Sequence, residues 1–346
     1  MEKKSRRRFL RTAITLPGIT LVPAFLLRGL QNQVKGMNIS DYEPGFIKLH
    51  KNGELKARGE ILWEMMRRCT ICPRQCETNR LRGRRGDCKS NSTLEISSAY
   101  PHFGEENELV GTHGSGTIFF TNCSLLCVFC INYEISHLGQ GRTYTIRELA
   151  NMMLLLQRQG CHNLNLVTPT HYAPHILLAL DNAAARGFRL PVVYNTCGWE
   201  KLEILQMLDG VVDVYLADFK YADSESANKY SPGAKSYPKV TQQALLEMHR
   251  QVGLAIADTQ TGLLHRGLMI RHLVMPSNVS HSDRVMHWIA ANLPKNTYVN
   301  IMSQYTPMFR AGEFPEIARR ITLAEYQHAV NAARRAGLTN LRLQMQ

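Results

Sequence analysis

From Gly116 onward, short apolar runs alternate with helical patterns, and this alternation constrains the fold more than any other feature of the sequence. Alternating strands and helices are typical of a parallel sheet covered by helices. The runs that predict strands are residues 116–120, 163–167, 191–195, 212–217, 268–274 and 297–302, with residues 338–343 as a further strand. Six strand–helix units predict an α/β fold, a partial (β/α)6 barrel over residues 111–346.

Helix boundary signals agree with this alternation. Thr145 and Glu148 form a T-x-x-E capping box, and the same pattern returns at Thr322 and Glu325. In such a box each side chain hydrogen-bonds the backbone of the other residue, so it predicts a helix start. Parallel sheets carry functional groups on the loops after the carboxyl ends of their strands, and we expect functional side chains there.

The chain has nine cysteines, which are too sparse for a disulfide scaffold of 346 residues. Seven of them fall into two tight groups with the spacing of metal ligands. The other two, Cys161 and Cys197, lie at the edges of predicted strands, and we expect them to pack in the core. Metal binding is therefore the leading use of cysteine in this chain.

The first group is Cys123, Cys127 and Cys130, which begins three residues after the first predicted strand. One loop then carries all three thiolates. A [4Fe–4S] cluster held by three thiolates keeps one iron open to another ligand, whereas ferredoxin and structural zinc sites close with a fourth protein ligand. The alternative is a zinc site that includes a nearby histidine such as His137.

The C-x3-C-x2-C spacing, with the aromatic Phe129 before the last cysteine, resembles the radical S-adenosylmethionine superfamily. That resemblance implies that S-adenosylmethionine chelates the open iron through its amino and carboxylate groups. It also implies that the reduced cluster cleaves S-adenosylmethionine to methionine and a 5′-deoxyadenosyl radical, which abstracts hydrogen from a substrate. Four further stretches are similar to the group of proteins related to pyruvate formate-lyase activating enzyme, namely residues 115–120, 131–136, 165–172 and 299–305.

Three strand ends resemble cofactor-binding motifs of that superfamily. The turn Asn195-Thr-Cys-Gly198 resembles a T-N-G-type turn, which implies that Asn195 and Thr196 lie near the cofactor. The motif Asp218-Phe-Lys220 resembles D-L-K, which implies that Lys220 neighbours the cofactor carboxylate and that Asp218 helps to hold a monovalent cation. Arg271 begins an R-x-x-V-x-P pattern whose arginine contacts the cofactor. Charge alone agrees, because Lys and Arg suit a carboxylate, although a solvated Lys220 remains the alternative.

One position departs from the superfamily pattern. The Gly-Gly-Glu turn that binds the amino group of S-adenosylmethionine is replaced here by Thr168-Pro169-Thr170. Thr168 and Thr170 are candidates to take over that contact. His171 is a candidate for the substrate pocket or a structural histidine, and Gln304 and Tyr305 are further pocket candidates.

The second cysteine group lies ahead of the predicted barrel and consists of Cys69, Cys72, Cys76 and Cys88. Four thiolates can close a tetrahedral zinc shell or hold an auxiliary iron–sulfur cluster, and both readings stay open. Eight Lys or Arg residues between positions 67 and 89 suit a net-negative thiolate–metal centre. We expect residues 61–110 to form a small N-terminal cysteine-rich metal unit.

The amino terminus resembles a twin-arginine export signal over residues 1–30. Arg6 and Arg7 precede an apolar run at residues 12–27, which is shorter than the roughly 20 residues that span a bilayer. The segment then serves as a signal or an anchor, and residues 31–60 read as a linker that leads into a short helix at Trp63 and Met66. Export would place the protein in the periplasm or envelope, whereas the supply of S-adenosylmethionine favours the cytoplasm, and the location stays open.

The sequence therefore predicts a radical S-adenosylmethionine enzyme that abstracts hydrogen from an unidentified substrate. The resemblance implies an electron donor such as flavodoxin or ferredoxin, and a glycyl-radical enzyme as one substrate class. The alternative is an exported, non-catalytic iron–sulfur protein for electron transfer or metal binding. The net charge is +13, but no basic stripe is interleaved with aromatic residues, so we expect no nucleic-acid partner.

Overall fold

The computed structural model describes residues 42–344, so the predicted signal at residues 1–30 and the start of the predicted linker lie outside the described residues. The described chain contains one nine-stranded sheet. Its strands are β1 (Leu94–His102), β2 (Ser115–Phe120), β3 (Arg142–Tyr144), β4 (Leu164–Val167), β5 (Val192–Thr196), β6 (Val214–Asp218), β7 (Gly267–Leu273), β8 (Tyr298–Met302) and β9 (Leu341–Leu343).

The sheet is open and mostly parallel, with the strand order β3-β1-β2-β4-β5-β6-β7-β8-β9. Strand β1 pairs antiparallel with both β2 and β3, and all pairs from β2 to β9 are parallel. Strands β4, β5, β6 and β8 are buried along their whole length, as expected for parallel strands covered on both faces. Their carboxyl ends therefore meet at one edge of the sheet.

Helices connect the strands and cover one face of the sheet. They are α1 (Phe46–Lys51), α2 (Glu54–Met65), α3 (Asn107–Val110), α4 (Tyr133–Ser136), α5 (Ile146–Arg158), α6 (Ala173–Ala184), α7 (Leu202–Met207), α8 (Ser224–Tyr230), α9 (Tyr237–Val252), α10 (Ser282–Asn292) and α11 (Leu323–Arg335). Capping boxes begin α5 at Thr145 and α11 at Thr322, as the sequence predicts. None of the described helices is both long enough and apolar enough to cross a bilayer.

Successive residues of the central strands enter two different hydrophobic clusters. In β6, Tyr215 and Ala217 pack with the covering helices, whereas Val214 and Leu216 join a second cluster on the opposite face. Leu109 of α3 belongs to that second cluster. The segment between β1 and β2 therefore covers the face of the sheet that the longer helices leave open.

The parallel strands confirm the sequence prediction of an α/β fold. Every predicted strand is present, with ends that differ from the prediction by at most a few residues. Strands β1 and β3 were not predicted, and they extend the sheet beyond its parallel part. The sheet does not close into a barrel.

The prediction of a linker over residues 31–60 is wrong for the described part of that range. Helices α1 and α2 occupy most of it, and Phe46, Leu55 and Leu62 are fully buried. Helix α2 packs against α6, where Gly59 allows the close approach because a Cβ there would meet the Leu178 side chain at 2.9 Å. The segment is part of the core.

The structure also does not separate residues 61–110 as a small unit of their own. Strand β1 lies in the main sheet, and α3 covers one of its faces. The described residues all belong to one compact unit. The second cysteine group is therefore built into the body of the fold.

Candidate functional site

A cavity of about 330 Å³ lies at the carboxyl ends of the central parallel strands. This is the edge where the sequence predicts functional side chains, and the volume falls in the range of small-molecule sites. Most of the predicted site residues line it, namely Cys123, Cys127, Phe129, Cys130, Thr168, Asn195, Thr196, Asp218, Lys220, Arg271, Gln304 and Tyr305.

Strand alternation brings the polar groups of three strands to this cavity. Side chains of a strand point alternately to opposite faces, so residues two apart share a face. Asn195, Asp218 and Arg271 each follow by two residues an apolar side chain of the second hydrophobic cluster, namely Val193, Leu216 and Met269. In the register, Asp218 lies directly opposite Arg271.

The three cysteines lie on the loop that follows β2. Asn122 and Leu126 have left-handed φ values of 66° and 57°, which are uncommon for residues other than glycine. The Leu125 N–H points at the Cys123 Sγ at 3.4 Å, and the Cys130 Sγ lies 3.1 Å from the Ser136 Oγ. Backbone strain of this kind persists where the surroundings enforce it, and here it accompanies the presentation of three thiols to one cavity.

Burial controls the protonation of these thiols. It raises the pKa of Cys123 to about 12, with the neighbouring Cys127 adding to the effect. Burial likewise raises the pKa of Cys127 to about 11, although the Lys220 ammonium opposes the shift. A metal must displace such protons when it binds, because thiolates are the ligand form.

Among residues 42–344, no three His, Cys, Asp or Glu side chains are arranged so that they could hold one metal ion. A single ion needs donors that converge on one point. An iron–sulfur cluster is instead held by cysteine thiolates on separate irons, so its ligands need not converge. His137 is not aimed at the thiols, because its Nε2 lies 2.9 Å from the Cys127 carbonyl oxygen. The loop therefore offers three thiols, and His137 is not arranged as a fourth donor beside them.

Charged groups occupy the side of the cavity formed by β5, β6 and β7. The Lys220 Nζ lies 2.6 Å from one Asp218 oxygen, and the Arg271 Nε lies 3.0 Å from the other. The Arg271 Nη2 donates to the Asn195 Oδ1 at 2.6 Å. Lys220 and Arg271 thus share the Asp218 carboxylate, and both cationic side chains line the cavity.

Electrostatics keep all three groups ionised. Burial alone would raise the pKa of Asp218, but Lys220 and Arg271 hold it below its ordinary value. Burial would lower the pKa of Lys220, and the Asp218 carboxylate more than reverses this. The same carboxylate raises the pKa of Arg271 against the effect of burial. Ionised Lys220 and Arg271 can bind a carboxylate.

Glu105, which the sequence analysis did not identify, reaches the same charged group. Its Oε2 lies 3.3 Å from the Arg271 Nη1, and its Oε1 accepts from the Asn195 Nδ2 at 3.2 Å. Burial raises the pKa of this carboxyl, and Arg271 opposes the shift. Glu105 follows β1, which was not predicted, so no signal in the sequence linked it to the sheet edge.

Not every predicted residue faces the cavity. Thr170 is buried and donates to Glu200 at 2.6 Å, and Thr196 donates to the same carboxyl oxygen. His171 is buried behind the sheet edge, with its Nε2 2.9 Å from the Thr121 carbonyl oxygen. Thr170 and His171 are therefore not among the residues that line the cavity, whereas Thr168 is, with a left-handed φ of 58°.

Cys197 packs against the main hydrophobic cluster, as expected, and it also lines the cavity beside the three predicted thiols. The turn that carries it needs Gly198, whose φ is 80° and where a Cβ would lie 2.0 Å from the Asp218 carbonyl oxygen. Burial raises the pKa of Cys197 well above its ordinary value, with Cys123 adding to the shift. Cys161 also packs in the main core, as expected.

The second cysteine group lies beside the cavity, and none of its four cysteines lines it. Arg74, between Cys72 and Cys76, donates to the carbonyl oxygens of Ser124 and Leu125 in the first cysteine loop. The same guanidinium lies 5.6 Å from the centre of the Trp199 ring. The two cysteine-bearing segments are thus held together by hydrogen bonds from Arg74.

Fold and site together define an α/β protein with an open, mostly parallel sheet and a cysteine-lined cavity at its carboxyl edge. No family model matches the chain. It is 31% identical over 320 residues to the Uncharacterized protein MJ0674 of Methanocaldococcus jannaschii, a match that covers 89% of this chain and 87% of that protein. The chain belongs to the family of this archaeal protein. The name of that relative states no activity, so a function must be argued from the site.

Proposed function

We propose that the protein is a radical S-adenosylmethionine enzyme whose sheet corresponds to a partial (β/α)6 barrel. One observation carries the proposal. Cys123, Cys127 and Cys130 line the same cavity as the Asp218, Lys220 and Arg271 group, although these residues come from different loops and strands. A three-thiolate site beside two cations suits a [4Fe–4S] cluster with a carboxylate-bearing ligand next to it.

When bound, the reduced cluster supplies the electron that cleaves S-adenosylmethionine to methionine and a 5′-deoxyadenosyl radical. The residues of the chain bind S-adenosylmethionine and orient it. Lys220 and Arg271 bind the methionine carboxylate, and Asp218 keeps both side chains in place and ionised. Phe129, at 5% exposure, packs against the rings of Tyr221 and Tyr305 and excludes water from the loop.

Glu105 is our candidate for the amino-group contact that the Thr168-Pro169-Thr170 turn lacks. A partly buried carboxylate such as Glu105 can accept hydrogen bonds from an ammonium group, which a threonine side chain does only weakly. Glu105 lies against Arg271 and Asn195, both of which line the cavity. The carboxylate missing from β4 is then supplied by the segment between β1 and β2.

A second groove of about 410 Å³ provides room for a substrate. It shares Asn195 and Arg271 with the cysteine-lined cavity, and Tyr100, His102 and Phe119 form its aromatic side. A small molecule or a glycine-containing loop could reach the cavity along it. Gln304 and Tyr305 line the cavity itself and would contact the reacting part of that substrate. The reaction also needs a one-electron donor such as flavodoxin or ferredoxin.

The direct test uses the full chain, reconstituted anaerobically with iron and sulfide and supplied with dithionite and S-adenosylmethionine. The proposal expects 5′-deoxyadenosine and methionine in equal amounts. The matched control is Cys127→Ala, which removes a thiol from the same loop. Equal 5′-deoxyadenosine from wild type and control would contradict the enzyme proposal.

A second candidate function follows from Cys197. A fourth thiol in the cavity could close the cluster, and the chain would then be an electron-transfer protein without a site for S-adenosylmethionine. In that case Cys197→Ala would open an iron and create binding of S-adenosylmethionine that wild type lacks. The enzyme proposal expects wild type and Cys197→Ala to bind it equally.

A further inference from the structure

Arg80 is a fully buried cation without a carboxylate partner among residues 42–344. Its Nε and Nη2 donate to the Asn91 carbonyl oxygen at 3.0 and 2.8 Å. Its Nη1 points at the Cys69 Sγ at 3.8 Å. A buried guanidinium with only neutral acceptors is costly, so the site lacks an anion.

The neighbouring side chains do not supply that anion. His171 and His175 lie close enough for the Arg80 charge to act on them, and burial, the larger effect, lowers their pKa values to about 3 and about 4. Both imidazoles are therefore neutral near pH 7. Thiols of the second cysteine group also lie next to Arg80, because it contacts Cys69 and its charge acts on Cys88.

These thiols are gathered in one place. Cys69, Cys72 and Cys88 are buried, at 4%, 5% and 3% exposure. Gly86 makes room for the Cys76 Sγ, which a Cβ there would approach to 2.9 Å, and the Cys88 Sγ lies 3.9 Å from the same position. Four protonated thiols are neutral and leave Arg80 uncompensated. Four metal-bound thiolates carry the missing negative charge.

The positions of these cysteines help to distinguish a zinc ion from an iron–sulfur cluster, the two metal centres that four thiolates can hold. Zinc takes four sulfur atoms at about 2.3 Å, so they crowd around one point. The described cysteines do not converge in this way, either here or in the cavity loop. Cluster ligands bind separate irons and lie farther apart.

We propose that Cys69, Cys72, Cys76 and Cys88 hold an iron–sulfur cluster for which Arg80 is the buried counter-ion. The Nη1 group of Arg80 points at a ligand sulfur, and such contacts tune the reduction potential of a cluster. The positive charge of Arg80 stabilises the reduced, more negative state. This inference is independent of the proposed enzyme activity, because none of these residues lines the cavity.

The first test removes the ligands of the cavity cluster and measures which metal the second cysteine group still binds. The full chain with Cys123→Ala, Cys127→Ala and Cys130→Ala is purified anaerobically, and its iron, sulfide and zinc are measured. We expect about four irons and four sulfides per chain, about half the wild-type content. One zinc with no iron, or no metal, would overturn the proposal. An inactive wild-type enzyme would leave this result untouched, so the two proposals can fail separately.

The second test addresses Arg80 in the same triple-alanine background. Arg80→Gln should lose iron or hold it at a more negative midpoint potential, because the stabilising charge is gone. Arg80→Lys should retain iron, and Arg82→Gln is the control at an exposed arginine of the same segment. Wild-type iron content together with an unchanged potential in Arg80→Gln would exclude the counter-ion role.

Discussion

The molecule places an arginine beside each of its two cysteine groups, Arg271 partly buried and Arg80 fully buried, and the two arginines differ in their partners. Arg271, in the cavity, contacts the carboxylates of Asp218 and Glu105. Arg80, beside the second group, contacts a backbone carbonyl and a cysteine sulfur. The protein itself compensates the first charge, whereas in our proposal a metal centre compensates the second.

This difference suits two kinds of site. The cavity can exchange its ligand, whereas the second cysteine group keeps the metal that it binds. A cavity whose cations are already paired stays stable when a carboxylate ligand leaves, since Asp218 remains in place. A buried cation whose partner is a metal centre is stable only while the metal is bound. We therefore expect the cavity to turn over a small molecule and the second cysteine group to hold its metal permanently.

The largest effect is expected from Cys127→Ala compared with Cys197→Ala, two thiols that line one cavity. The first should lose about four irons per chain, and formation of 5′-deoxyadenosine should fall to background. The second should keep its iron and its activity, because Cys197 is not a ligand in this account. Iron analysis and product chromatography measure both. Loss of iron from Cys197→Ala would show that Cys197 is a fourth ligand of the cluster and that no iron is open.

Arg271→Gln tests the paired charges of the cavity. It leaves Asp218 with Lys220 alone and leaves Glu105 without its cation, so we expect a loss of about 3–5 kcal/mol in the free energy of unfolding. The control is Arg310→Gln, which breaks an exposed ion pair with Glu313 and should cost at most about 1 kcal/mol. Urea unfolding of the anaerobic proteins measures both values. Equal losses would mean that the cavity charges are not coupled as described.

Glu200, beneath the cavity, makes the stability of this region dependent on pH. Burial raises its pKa from 4.5 to about 7, and hydrogen bonds from Thr170 and Thr196 oppose the shift. The stabilisation of the folded protein by the Glu200 carboxyl is complete below the pKa of the unfolded chain. It is lost as the pH rises from 4.5 through about 7. The loss amounts to about 3 kcal/mol by pH 8.

Glu200→Gln removes this titration, so its stability should change less between pH 5 and pH 8 than that of wild type. Urea unfolding at both pH values gives the comparison. The same pH dependence in wild type and variant would show that another group is responsible.

Arg74→Ala tests the link between the two cysteine-bearing segments and should have the smallest effect. It removes charge-assisted hydrogen bonds to Ser124, Leu125 and Pro232, and we expect a loss of about 2 kcal/mol. Thermal unfolding of the metal-loaded protein measures it. Arg82→Ala, at an exposed arginine, should stay within about 0.5 kcal/mol of wild type. No difference between the two variants would mean that the segments are held together by other contacts.

The parallel part of the fold was predictable because its strands are short apolar runs between capped helices. Strand β1 was missed because its outer half, Ser97–His102 in the sequence, lacks an apolar alternation. Helix α1 and the first part of α2 were taken for a linker because glycine and charged residues hide their buried side chains, as at Gly59 between α2 and α6.

The residues of the candidate site likewise fall into those that the sequence predicts and those that only tertiary packing reveals. Asn195, Asp218 and Arg271 were predictable because each ends a strand that could be recognised. Glu105 and Arg80 were not, since tertiary packing alone brings Glu105 to Arg271 and Arg80 to Cys69. Cys197 follows the last residue of β5, where the alternation of a strand no longer predicts direction.

The central claim is that one iron of the cavity cluster is open to S-adenosylmethionine. Electron paramagnetic resonance of the dithionite-reduced wild-type protein, recorded with and without S-adenosylmethionine, tests it most directly. The account predicts that the spectrum of the cavity cluster changes when S-adenosylmethionine is added, and that this change is absent in Cys127→Ala. A spectrum that stays the same, in a protein whose cavity cluster is intact by iron analysis, would contradict it.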